Sequence, residues 1–124
     1  MSIYLAMSNN DAGNELAEGG DVSVYEPLSG DTVSSPLIVS GEARGTWFFE
    51  ASFSVKLLDS SSTEIATGIA QTSSDWMTTD FVPFSAMLDF PPQPSGSSGT
   101  LVLMKDNPSG ELAYDDSYSV PISF

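Results

Sequence analysis

The chemistry open to this chain is bounded first by what it lacks. It has no histidine and no cysteine. Ser-His-Asp and Cys-His nucleophile groupings, thiolate metal ligands and His-bound zinc are therefore excluded within the chain. Carboxylates are plentiful, with 17 Asp and Glu against three basic residues, Arg44, Lys56 and Lys105. Two carboxyls that face one another can act as general acid and base, or as a glycosidase pair. Glu50, Asp75, Asp80 and Asp89 are the candidates by position. On so acidic a surface close pairs arise by chance, and the ordinary reading is solvated charge. A Ser–Lys dyad would need Lys56 or Lys105, and nothing near either in sequence marks a nucleophile. The expectation is a protein that is not an enzyme, with a carboxylate-based glycosidase as the enzymatic alternative.

Two other groupings point to binding. The stretch KDNPSGELAYDD supplies Asp106, Asn107, Glu111, Asp115 and Asp116 in one loop region. Hard cations prefer such oxygen ligands, so this is the candidate Ca²⁺ site and the basis for a calcium-dependent adhesion or assembly domain. The spacing does not fit an EF-hand loop, and Asn-Pro-Ser-Gly is equally a plain β-turn. No other cofactor is implied. Trp76 and Met77 lie in the polar connection SSDWMTTD, where a large apolar pair is unusual. With Phe48 and Glu50 they are the candidate contact residues for a protein or cell-wall glycan. The structural alternative is that the rings cap one end of a core. Glu50 is flanked by aromatics and lies near Arg44 in sequence, which suits a structural ion pair.

Any such groups must be held by strands. In GEARGTWFFEASFSVKLLD, parity places Trp47, Phe49, Ala51, Phe53, Val55 and Leu57 on one face. Phe48, Glu50, Ser52, Ser54, Lys56 and Leu58 fall on the other. Val22 and Val24 alternate with Ser23 and Tyr25. Leu37, Val39 and Ala43 share a face, as do Val82, Phe84, Ala86, Leu88 and Phe90. Ile65 and Ile69 share an apolar face in EIATGIAQ, where the pattern is weaker. TLVLMK is apolar on both faces, as a central strand should be. Tyr118, Val120, Ile122 and Phe124 close the chain, with Pro121 placing that strand at an edge or a bulge. Turn-rich breaks such as PLSGD, DSSST and PPQPSGSSG separate these runs. The pattern predicts an all-β fold, an immunoglobulin-like two-sheet antiparallel β-sandwich of about seven strands.

A chain of 124 residues suits one domain, and its 40% hydrophobic content is enough for a core without staples. Residues 1–20 contain the polar run SNNDAGNELAEGG and read as a flexible acidic leader; residues 21–124 read as the domain. The formal net charge is −14, which repels nucleic acid and anionic lipid. No segment is long and apolar enough for membrane insertion as a helix. The opening MSIYLAM carries no basic residue and too short an apolar run for a secretion signal.

The runs SPLIVSGEARGTWFFEASFSVKLLD, DWMTTDFVPFSAMLDF and GTLVLMKDNPSGELAYDDSYSVPISF resemble the immunoglobulin-like domain of bacterial spore germination proteins. The most specific pieces are the SGEARG turn, Phe49-Glu50, Pro83-Phe84, the GTLVL strand and the closing SVPISF. The resemblance implies a β-sandwich that works outside the cytoplasm, in the bacterial cell envelope. It carries no catalytic residues over to this chain. It makes a binding or spacer module the expected function.

Overall fold

The computed structural model describes residues 17–18, 20–107 and 116–124. Eight strands are formed among them: β1 (Ala17–Glu18), β2 (Val22–Glu26), β3 (Leu37–Arg44), β4 (Ser52–Leu58), β5 (Glu64–Gln71), β6 (Phe81–Leu88), β7 (Ser98–Met104) and β8 (Ser117–Ser123). Seven of these run five residues or longer, as the alternation predicts. The two-residue β1 falls inside the stretch expected to be leader. It adds to the edge of β2, with Ala17 opposite Val24 and Glu18 opposite Ser23.

Every ladder is antiparallel, in the order β1-β2-β3-β6-β5-β4-β7-β8. The junction between β6 and β5 is a single residue pair, Gln71 with Ser85. There the sheet folds over, so that β2-β3-β6 and β5-β4-β7-β8 face each other as the two layers of an immunoglobulin-like sandwich. Pro83 sits beside this junction and has no N–H to extend a ladder. At the far margin Thr32 pairs in parallel with Ser123 and nearly closes the sheet on itself. Pro121 lies on β8, the last strand of the order, as its missing donor requires.

The shared interior is one apolar cluster. Its centre is aromatic: the Phe53 ring meets Trp47 at 5.6 Å, Phe48 at 5.1 Å and Phe84 at 5.0 Å, all edge to face. Phe53 is on β4 and Phe84 on β6, so these rings join the two layers. Each such pair adds about 0.5–1.5 kcal/mol beyond the area it buries. Leu101 and Leu103 of β7 and Val120 and Ile122 of β8 continue the core, in agreement with their parity.

Two parity expectations are corrected. The first concerns the aromatic run: Phe48 is 4% exposed and Phe49 43% exposed, the reverse of their expected faces. The strand does not extend back through residue 47. Gly45–Trp47 forms a 3-10 turn, and Phe48 N–H donates to the Gly45 carbonyl at 3.1 Å. Glu50 and Ala51 then take left-handed φ of 51° and 65°, with Phe49 and Ser52 exchanging both backbone bonds. This is a two-residue hairpin of the type that matches strand twist, built without its usual Asn-Gly. The turn resets the alternation, so Phe48 joins Trp47 and Phe53 inside.

The second concerns β5. Ile69 is 49% exposed, and Ala70 is fully buried. Phe53, Val55 and Leu57 point inward from β4, opposite Ala70, Gly68 and Ala66. Large β4 side chains, with Leu88 above, leave space on β5 only for small ones. A Cβ on Gly68 would press on the Leu88 side chain at 3.0 Å.

The swap of the two rings is directly measurable. Phe48→Ala is expected to cost about 3–5 kcal/mol in denaturant unfolding, as for a buried aromatic. Phe49→Ala is expected to cost under about 1 kcal/mol. Equal losses would contradict the turn geometry.

Candidate functional site

One end of the sandwich is made by the turn at residues 45–51 and by the β5–β6 connection, residues 72–80. The connection is held close by backbone. Gly45 N–H donates to the Asp80 carbonyl at 3.0 Å, and Thr72 N–H to the Ala51 carbonyl at 3.1 Å. A Cβ at Gly45 would overlap the carbonyl oxygens of Trp76 and Thr78, so only glycine allows this approach. Within the connection, Asp75 Oδ1 accepts from Met77 N–H at 3.0 Å and fixes the local turn.

Two hollows flank the connection. The apolar one, about 360 Å³, is lined by Gly45, Thr46, Phe48, Trp76, Met77, Thr78 and Thr79. Met77 is 77% exposed. Trp76 packs partly against the core, and its ring meets the exposed Phe49 ring edge to face at 6.4 Å. The polar hollow is an open cleft of about 560 Å³. Its lining includes Glu50, Gln71, Thr72, Ser73, Ser74 and Ser85, with Pro83 and Phe84.

Of the four expected contact residues, Phe48, Trp76 and Met77 therefore line one hollow, and Glu50 lines the other. Phe48 is a core residue rather than an exposed one, for the reason given above. Phe49 takes its place on the surface, and strand parity hid it. The expected Glu50–Arg44 pair is not formed. Arg44 Nε lies 3.9 Å from Asp21 Oδ1, NH1 donates to the Thr79 carbonyl at 3.2 Å, and the guanidinium sits 4.1 Å over the Phe81 ring.

The candidate cation loop is only partly in view, because Glu111 and Asp115 lie outside the described residues. Asp106 N–H donates to the Trp47 carbonyl at 3.0 Å, and Lys105 N–H to the Asp116 carbonyl at 3.0 Å. Asp116 Oδ1 accepts from Ser117 N–H at 2.9 Å. Among the described residues no three acidic side chains converge as a cation would require. Asp89 is exposed on the strand-end side of β6, away from the cleft lining.

Two titrations are perturbed elsewhere on the sheets. On the outer face of β2–β3, partial burial and a hydrogen bond to the Glu42 carboxylate, whose charge adds to the effect, push the Tyr25 hydroxyl up to about 12. On β5, the Thr67 hydroxyl bond holds Glu64 below the usual carboxylate range, with Lys56 Nζ 3.5 Å away adding to it. The signs differ. A raised tyrosine stabilises the fold below its unfolded value, about 10, and that contribution fades as pH rises towards 12. A lowered glutamate stabilises above the carboxylate range and fades on acidification. Absorbance titration, compared with Tyr25→Phe, is expected to show Tyr25 ionising well above the ordinary tyrosine value near 10. Glu42→Gln is expected to bring it down towards 10. No change in Glu42→Gln would contradict the contact.

Among the described residues no helix is long and apolar enough to cross a membrane. No curated protein and no solved structure matches the chain. Residues 21–111 match the Gmad2 family, described as the immunoglobulin-like domain of bacterial spore germination. That span takes in β2 to β7, the aromatic centre and both hollows. On that match, the chain belongs to the immunoglobulin-like domain family of bacterial spore germination.

Proposed function

We propose that this chain is a non-catalytic, germination-associated module of the bacterial cell envelope, working outside the cytoplasm. It attaches to an envelope macromolecule through the end that carries Phe49, Trp76 and Met77. The observation that carries this reading is the exposure of large apolar side chains on a tightly braced connection: Met77 at 77%, beside the Phe49–Trp76 pair. A soluble domain gains nothing in stability from such a cluster, and apolar anchors of this kind supply most of the binding energy at interfaces. Family membership supports the germination and envelope setting. The cleft lining includes one carboxylate, Glu50, where carboxylate-based glycoside hydrolysis uses two. That supports binding over turnover.

The test is retention of the chain by bacterial envelope fractions. The unaltered chain is expected to be retained, and Met77→Ser with Trp76→Ala is expected to lower retention at least tenfold. Met77→Ser alone should leave stability within about 0.5 kcal/mol, since the side chain is a surface one. Retention unchanged by the double substitution would contradict the reading. Failure of the unaltered chain to be retained would contradict it too, and would leave a spacer. Melts with and without millimolar Ca²⁺ separate this module from a calcium-dependent adhesin: the expected result is an unchanged midpoint.

A further inference from the structure

The polar cleft and the aromatic pair are built on the same two segments, the turn after Trp47 and the β5–β6 connection. Phe49 leads directly into Glu50, and Ser74 is joined to Trp76 through Asp75. The turn and the connection that line the cleft thus also carry the Phe49–Trp76 rings. The chemistry of the cleft restricts that ligand. Beside Ala51, Pro83 and Phe84, its polar side chains are a carboxylate, a primary amide and several hydroxyls, supplied by Glu50, Gln71, Thr72, Ser73, Ser74 and Ser85. Carboxylate accepts, amide donates and accepts, and hydroxyls do both. Such a lining matches a ligand dense in hydroxyl groups, whose removal from water is compensated only by new hydrogen bonds.

Three observations narrow the class. None of the three basic residues lines the cleft, and Arg44 is taken up by Asp21, Thr79 and Phe81. Glu50 and the net charge of −14 repel an anionic polymer. An extended peptide would add a strand to β6 at the junction, but Pro83 offers no N–H there. The Phe49 and Trp76 rings, one residue along from Glu50 and two along from Ser74, offer apolar surface on which the C–H face of a sugar can pack by dispersion.

We propose that this cleft is a subsite for an uncharged polysaccharide. One sugar ring hydrogen-bonds to Glu50, Gln71 and Ser85, and the next lies on Phe49 and Trp76. The inference rests on the binding reading above and assigns its partner a chemical class.

The experiment is an amide-resolved NMR titration of the full chain with three probes: cellohexaose, the uncharged N-acetylglucosamine hexamer, and polygalacturonate. At least one uncharged hexasaccharide is expected to shift the amides of Glu50, Gln71 to Ser74 and Ser85, and polygalacturonate to shift none of them. Gln71→Ala with Ser85→Ala, both surface positions on formed strands, is expected to weaken that binding about tenfold, as loss of a hydrogen bond or two would. Absence of cleft shifts with both uncharged sugars overturns the proposal, even where envelope retention through Met77 and Trp76 persists. Shifts confined to Trp76 and Met77 overturn the subsite and leave the aromatic contact standing. Stronger cleft shifts with polygalacturonate overturn the uncharged assignment.

Discussion

The Phe53 ring is the contact on which the rest of the molecule depends. It stands on β4 and meets Phe84 of β6 across the interior, with Trp47 and Phe48 against its sides. The β5–β6 ladder supplies only the Gln71–Ser85 pair between the two layers. Backbone hydrogen bonds join the layers at the margins, there and where residues 30–33 bond to Pro121 and Ser123 of β8, so side-chain packing must hold the middle. Burying a ring of this kind is worth about 2–3 kcal/mol, and the edge-to-face pairs add to it. The packing is imperfect at one point. Trp47 Nε1 is buried with no hydrogen-bond partner among the described residues, a cost of about 1–3 kcal/mol.

That aromatic centre also builds the end that carries the exposed rings and the cleft. Trp47 and Phe48 are pulled inward by a 3-10 turn, and the chain must then reverse at once to enter β4. The reversal at Glu50 and Ala51 throws Phe49 outward, where it meets Trp76. Gly45 allows the 72–80 connection to settle on the same turn. One local geometry thus fills the core, displays the exposed ring and sets Glu50 at the mouth of the cleft. Left-handed backbone at two non-glycine residues costs about 1–2 kcal/mol each, and here it accompanies the display of a carboxylate.

Much of this is legible in the sequence. The inward faces of β3, β6 and β8 follow strict alternation, and each strand carries at least two large apolar residues on that parity, so one face is clearly favoured. The turn between Trp47 and Ser52 was not legible, because Glu-Ala lacks the Gly or Asn that marks a left-handed hairpin. The β5 face is hidden for another reason: its inward residues are Ala66, Gly68 and Ala70, and small residues leave almost no hydrophobic signal. Trp76 and Met77 were recognisable as misfits in a polar run. The cleft was invisible in sequence, since residues 50–51, 71–74 and 83–85 meet only after the sheet folds over.

The central claim is that the reversal at Glu50-Ala51 sorts the neighbouring rings, Phe48 into the core and Phe49 onto Trp76. Nuclear Overhauser contacts between assigned aromatic protons measure this sorting in solution. The account predicts cross-peaks from Phe53 to Trp47, Phe48 and Phe84, and from Phe49 to Trp76. Cross-peaks from Phe49 to Phe53, with none from Phe48, would show an unbroken strand through residues 47–53 and contradict it.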